Sequence, residues 1–327
     1  MSTQIGDLDP AITEWAAQLI EVTASLPELS SPDLRTRRAA ERVVSDTIAR
    51  EFTEERVPGI TIRPGTITTT TRNLRIRRYL PEGLPQCAPT ELFLHGGGFV
   101  SGSVDELIND RLLTRRAQRA DIQVVSLDYR LAPEHPYPAA VDDTLAALDA
   151  LREQPEEYGV DVSRMGIGGA SAGAGIAASA TLHLRDRGDN VLIHQSLEVP
   201  ALALTPFGAS AATYAHGFGL DDYEHLANLY LADSGTAAAY AQPLFTLELA
   251  GLPPAFIQVA EHDPLRDEGI AYGSRLRDAG VPAVVHVGNG HVHGSPGLTA
   301  TFPAARAWQE RTALAARLAY HSQQQPD

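Results

Sequence analysis

Four short stretches of this chain carry the residue types that acyl-transfer chemistry needs. The first is Gly169-Ala170-Ser171-Ala172-Gly173, a G-x-S-x-G pattern inside GIGGASAGAG. Ten residues with almost no side chain have two explanations: close strand-to-helix packing around a bystander serine, or a strained turn that presents Ser171. A strand reads before the pattern and a helix after it, the setting in which such a turn exposes a nucleophilic hydroxyl where the helix dipole favours negative charge. Residues two before and two after that serine approach too closely for side chains, which accounts for Gly169 and Gly173. A serine hydroxyl is a poor nucleophile until a base takes its proton. His291 and His293, in GNGHVHG, compete for that role. Their spacing would also suit a metal, but no matching cluster supplies further ligands. In EHDPLRDEG, Asp263 ends an apolar strand, while Asp267 and Glu268 fall in the first turn of the next helix, where the dipole explains them. The fourth stretch is His95-Gly96-Gly97-Gly98. Its glycines free the backbone to turn N–H groups toward a developing oxyanion, with the Ala172 N–H as a further donor.

These side chains need a scaffold that gathers them. Residues 1–56 read as helical, with apolar residues at helical spacing in PAITEWAAQLIEVTA and PDLRTRRAAERVVSDTIARE. GITIRPGTITTTTRNLRIRRYLPEG alternates and predicts two antiparallel strands joined by a turn, with the four-threonine run as a strand edge. From about residue 90, strands (TELFLHG, IQVVSLDY, RMGIGG, LIHQSLEVPAL, AFIQVAEHD, AVVHVGNG) alternate with helical segments. That pattern predicts an α/β fold with a mostly parallel central sheet flanked by helices. Asp263 and the histidines then lie at the carboxyl ends of strands, where open α/β sheets build their sites. One feature resists: Gly166 and Gly168 lie inside a strand, where glycine costs stability. Residues 205–245 break the alternation with short helices and seven aromatics, among them Phe207, Tyr214 and Phe218. Ordinary helix packing and a lid over an apolar pocket both account for them.

Composition excludes several classes. Net charge is −15, and no arginine cluster is dense enough for a nucleic-acid face. The chain contains no lysine, which removes a lysine Schiff base, a P-loop lysine and a Ser-Lys dyad. The single cysteine, Cys87, permits no internal disulfide and no multi-cysteine zinc site. No stretch approaches the ~20 apolar residues of a membrane span, and the N-terminus does not read as a secretory signal, so a cytoplasmic protein is expected.

HGGGF, DYRLAPEHPYPAA, GASAG, EHDPLRDEG and HVHG occur in this order between about residues 92 and 294. Together they resemble the bacterial hormone-sensitive-lipase-like esterases of the α/β-hydrolase fold. The resemblance implies Ser171 as nucleophile, Asp263 as orienting acid and His293 as general base, His293 being favoured because Gly294 follows it. Gly97, Gly98 and Ala172 resemble the oxyanion donors, and Asp128, Arg130 and Glu134 correspond to loop-holding positions. It further implies a helical cap made of residues 1–56 and an insertion at 205–245, around a core of 57–204 and 246–320. Phe99, Phe207, Tyr214 and Phe218 are then the expected substrate-binding walls. The expected reaction is hydrolysis of short- to medium-chain acyl esters without cofactor or metal. Amidase, lactonase or acyltransferase chemistry on the same residues, and a catalytically silent receptor, are the alternatives. A small-molecule ester is the expected partner, and a homodimer the expected assembly. Two positions depart from the family pattern: Ala170, where Asp or Thr is usual, and Ser295, where Phe is usual.

Overall fold

Period-two alternation between residues 60 and 81 folds as an antiparallel hairpin in a computed structural model, which describes residues 8–216, 220–232 and 240–322. Strand β1 (Ile60–Thr68) pairs with β2 (Asn73–Pro81) without a register shift. The threonine run, expected as a strand edge, lies mostly beyond the strand. Only Thr68 belongs to β1, and the Thr69 hydroxyl accepts from the N–H groups of Thr71 (3.3 Å) and Arg72 (3.1 Å). A short hydroxyl side chain that bonds the backbone just ahead of it builds a turn instead.

The sheet continues through β3 (Ala88–Leu94), β4 (Gln123–Leu127), β5 (Val160–Ala170), β6 (Leu192–Glu198), β7 (Ala255–His262) and β8 (Ala283–Val292), in the spatial order β1-β2-β4-β3-β5-β6-β7-β8. All pairings from β4 to β8 are parallel. Every residue of β3 and β4 is buried, as expected of strands covered on both faces.

Two N-terminal helices, α1 (Pro10–Ala24) and α2 (Leu34–Phe52), precede the sheet. One sheet face packs on α3 (Leu107–Ala120) and α10 (Pro303–His321), whose Leu113, Ala117 and Ala316 meet Phe93 of β3. The other face packs on α4 (Ala139–Glu153), α6 (Ala172–Asp186) and α9 (Arg266–Asp278), against Leu92 and Leu94 of the same strand. A single-turn α5 (Pro155–Tyr158) leads into β5, and α7 (Gly208–Thr213) and α8 (Tyr223–Leu231) lie between β6 and β7. Among the described residues no helix is long and apolar enough to cross a membrane.

The glycines inside β5 have a packing reason. A Cβ on Gly166 would collide with the Tyr320 hydroxyl of α10, and one on Gly168 would lie 3.0 Å from the Glu91 carboxyl carbon. The strand gives up side chains to make room for the Tyr320 ring of α10 and for the Glu91 carboxylate of the neighbouring strand β3. Helix α2 is tied to the loops beyond the strands. Arg38 donates to both carboxylate oxygens of Glu134 (2.7 Å each), to the Val100 carbonyl (2.7 Å) and to the Ala132 carbonyl (2.9 Å). Arg130 pairs with Asp143, and Asp128 pairs with Arg75, so the DYRLAPE run works as a set of loop anchors.

Candidate active site

Ser171 lies between the last residue of β5 and the first of α6, with φ 55° and ψ −119°. That conformation costs an L-residue roughly 1–3 kcal/mol and persists only where its surroundings hold it. Here the Ser171 N–H donates to the Glu198 carbonyl at 2.8 Å, and the Ser171 carbonyl accepts from Gly175 (3.1 Å) and Ala201 (3.2 Å). Strand and helix come so close that a Cβ on Gly169 would lie 2.5 Å from the Gly173 carbonyl carbon. A Cβ on Gly173 would overlap the carbonyls of Leu94 and His95.

The hydroxyl meets an imidazole brought from the far side of the sheet. His293 Nε2 lies 2.9 Å from Ser171 Oγ, and His293 Nδ1 lies 2.8 Å from Asp263 Oδ2. Asp263 follows β7 and His293 follows β8, so all three groups stand at carboxyl ends of parallel strands. The other Asp263 oxygen accepts the Leu265 N–H at 2.8 Å, and the residue is 0% exposed. A carboxylate fixed at both oxygens holds the imidazole in one tautomer and orientation. The competing acids point elsewhere. Asp267 accepts the Ser210 N–H at 2.9 Å and pairs with Arg266. Glu268 is buried against the Ala203 N–H, and burial holds its carboxyl well above the usual range. His291 faces away from Ser171. Its Nδ1 lies 2.7 Å from Ser295 Oγ, its ring is wedged between Phe302 and Trp308, and burial pushes it down to about 4.

Two glycines beside the serine turn the backbone in a way that L-residues rarely can. Gly97 has φ 126° and Gly98 φ 59°. A Cβ on Gly97 would strike the Ser101 carbonyl, and one on Gly98 would come within 2.6 Å of the Leu226 side chain. The Gly97 carbonyl is held by Val100 and Ser101. Among the described residues no hydrogen bond uses the N–H of Gly97, Gly98 or Ala172. Ser171, His293 and these three residues line one cavity of about 610 Å³, within the size range of small-molecule sites.

The cavity walls differ from those expected. Phe99 lines it, stacked on Tyr230 at 4.0 Å. Phe207 does not: its ring packs edge-on against Phe245. Tyr214 does not either, because it sits in a cluster with Ile12, Phe52 and Phe302, its hydroxyl 3.3 Å from His262 Nδ1. Phe218 lies outside the described residues. Tyr223 and Leu226 of α8 take the wall positions on that side. Glu41 comes from α2, Glu106 from the residue that precedes α3, Asn109 from α3 and Gln309 from α10. Burial and repulsion from Asp46 push Glu106 up to about 7. These residues carried no sequence signal, since nothing in their local pattern says which face of a helix will meet the serine.

Behind Ser171 lies a buried ion cluster. Arg116 bonds Glu91 at 3.0 Å and also bonds Glu198, whose second oxygen accepts Trp308 Nε1–H at 2.6 Å. Burial and the neighbouring Glu198 charge both act to raise the Glu91 carboxyl, while Arg116 opposes them.

The fold and the site geometry define an α/β hydrolase, and a family model describing the alpha/beta hydrolase fold matches residues 91–296. An esterase, LipI, from Mycobacterium tuberculosis is 40% identical over 75% of this chain and 78% of its own length. The carboxylesterase NlhH from the same organism is 35% identical over 76% of this chain and 80% of its own. The solved structure of a hyperthermophilic esterase from Pyrobaculum calidifontis superposes with a TM-score of 0.83, at 32% identity, over 95% of this chain and 98% of that one. The chain belongs to the hormone-sensitive-lipase-like family of bacterial esterases and is a carboxylic ester hydrolase.

Proposed function

We propose that this enzyme cleaves small carboxylic esters, with short to medium acyl chains, through an acyl-enzyme on Ser171. His293 takes the hydroxyl proton as Oγ attacks the ester carbonyl. The carbonyl oxygen, now negative, accepts the N–H groups of Gly97, Gly98 and Ala172, donors fixed before the charge appears. Asp263 stabilises the imidazolium. Collapse of the adduct breaks the bond to the alkoxy oxygen, which leaves with the proton from His293. Water, deprotonated by His293, then attacks the acyl-serine, and the carboxylic acid departs as Oγ regains its proton. Residues 1–56 and 205–245 act as the cap. Within those stretches, Glu41, Tyr223 and Leu226 reach the cavity wall.

The observation that carries this reading is the unbroken series of contacts from Asp263 through His293 to Ser171, at 2.8 and 2.9 Å, in a cavity with three unengaged backbone donors. The test pairs 4-nitrophenyl esters and matching anilides with an alkylphosphonate label read by intact mass. Wild type is expected to hydrolyse the esters and gain one phosphonyl group, and Ser171→Ala to do neither. An equal adduct on Ser171→Ala refutes the nucleophile, and anilide turnover without ester turnover refutes the substrate class.

A further inference from the structure

The cavity wall formed by α3 and α10 carries two amides that the ester-cleaving groups do not use. Asn109 of α3 is 8% exposed and Gln309 of α10 is 6% exposed, and both line the cavity. The Asn109 amide nitrogen donates to the Ser103 carbonyl at 2.8 Å, and that of Gln309 donates to the Pro296 carbonyl at 3.0 Å. Each bond fixes which way its amide is turned, because only the nitrogen end can donate. The oxygen ends are left over. No hydrogen bond among the described residues uses Asn109 Oδ1 or Gln309 Oε1. Neither oxygen is among the buried side-chain atoms left without a partner, so both keep accessible surface and are open to a molecule in the cavity. A wall meant only for an alkyl chain needs neither amide, since Phe93, Leu112 and Leu113 already supply apolar surface to the same cavity.

No hydrogen bond among the described residues joins these oxygens to the rest of the polar wall. Arg116 also lines the cavity, with its terminal nitrogens bonded to Glu91 and Glu198. We propose that the natural substrate carries a hydroxyl on the part of the ester lying against α3 and α10, and that Asn109 and Gln309 select for it. A hydroxyl fits better than an ammonium. The amide oxygens have no net charge to offset a buried cation, and the charges of Glu41 and Glu106 are already opposed by Arg37, Arg38 and Arg42. The inference rests on Ser171 being the ester-cleaving nucleophile, and it deepens that reading by naming the substrate class.

The test uses two pairs of esters in which each hydroxyl is replaced by a methyl group, one hydroxyl on the acyl side and two on the alcohol side. On the acyl side these are 4-nitrophenyl 3-hydroxybutanoate and 3-methylbutanoate. On the alcohol side they are 2,3-dihydroxypropyl butanoate and 2-methylbutyl butanoate. Both run at pH 8, above the value to which Glu106 is raised. The readout is the hydroxyl-to-methyl ratio of kcat/KM within each pair, which a general loss of catalysis leaves unchanged. The expected result is a wild-type ratio above one in at least one pair, falling at least tenfold in the Asn109→Leu/Gln309→Met variant. A wild-type ratio below one in both pairs, or a fall of less than tenfold in the variant, overturns the inference. If the variant does not take phosphonate on Ser171, its site is disrupted and the wild-type ratio decides alone. A wild type that takes no phosphonate defeats the esterase reading itself, whereas normal labelling with an overturning ratio defeats only the hydroxyl preference.

Discussion

Ser295→Ala removes one hydroxyl that does not touch the reacting atoms, and its consequences can be worked out from the contacts. Ser295 is 0% exposed. Its Oγ accepts the Val292 N–H at 3.0 Å, donates to the Val292 carbonyl at 2.9 Å, and lies 2.7 Å from His291 Nδ1. Alanine leaves the Val292 N–H and the His291 nitrogen buried and unpaired. Each such group costs about 1–3 kcal/mol, so a loss of about 3 kcal/mol is expected for the pair. A chain of 327 residues unfolds with an entropy of roughly 0.7 kcal/mol per kelvin at about 2.1 cal/mol/K per residue, which converts that loss to a fall in Tm of about 4 °C. The same hydroxyl closes the turn that carries His293, so looser placement of the imidazole is expected to lower kcat about tenfold while KM stays within about twofold. Differential scanning calorimetry and steady-state kinetics on a 4-nitrophenyl ester measure the two effects. A Tm within about 1 °C of wild type together with an unchanged kcat would refute the claim that this hydroxyl holds the histidine turn.

Asp263→Asn should keep the fold and lower kcat by about 10⁴, the scale known for a serine protease with the same relay; a loss under about tenfold would show that the imidazole does not depend on this carboxylate. Gly98→Ala places a methyl group 2.6 Å from Leu226 at φ 59°. It should cost about 10²–10³ in kcat, the usual effect of losing one oxyanion donor, and Leu226→Ala should restore part of it. No recovery would mean that the backbone conformation, not the contact with Leu226, sets the loss. His291 binds a proton only near pH 4 when folded, but near its ordinary 6.5 when unfolded. Between those values the unfolded chain holds more protons, so the contribution is full above about 6.5 and lost as pH falls through about 4, by about 3 kcal/mol. Urea denaturation of His291→Gln across that range should show a shallower loss on acidification than wild type, and equal slopes would refute burial as the cause.

Some of this site was readable from local sterics alone. Gly169 and Gly173 flank Ser171 because backbone meets backbone there, a constraint that every such turn carries in its own sequence. The choice between His291 and His293 had no such local signature. Two residues apart near a strand end, they differ only in what lies above them: Asp263 and Ser171 for one, Ser295 and Trp308 for the other. Resemblance to a family separated them where pattern could not. The pocket walls were the weakest part. Aromatic enrichment over 205–245 measures how much packing a segment needs and says nothing about direction. Thus Phe207 and Tyr214 were drawn into packing clusters, while Leu226, an unremarkable helical leucine, faces Gly98. Asn109 and Gln309 come from helices far apart in the chain, and their joint exposure to one cavity is a property of tertiary packing.

The ion cluster behind Ser171 explains how the serine and the histidine, 122 residues apart in the chain, share one rigid support. The Glu198 carbonyl holds the Ser171 N–H, and its carboxylate is held in turn by Arg116 of α3 and Trp308 of α10. The Trp308 ring lies 5.0 Å from that of His291, and His291 bonds the Ser295 hydroxyl that closes the histidine turn. Burying a guanidinium with two carboxylates is expensive, and well-packed apolar residues of equal volume would often be as stable. What apolar residues could not do is hold a strand carbonyl, an indole N–H and a helix in fixed mutual directions, because dispersion has no angular preference and hydrogen bonds do. A serine at φ 55° needs that kind of support, since its own backbone resists the conformation. The glycines of β5 belong to the same arrangement: they leave space near the turn that presents Ser171 for the Glu91 carboxylate of the neighbouring strand β3 and the Tyr320 hydroxyl of α10.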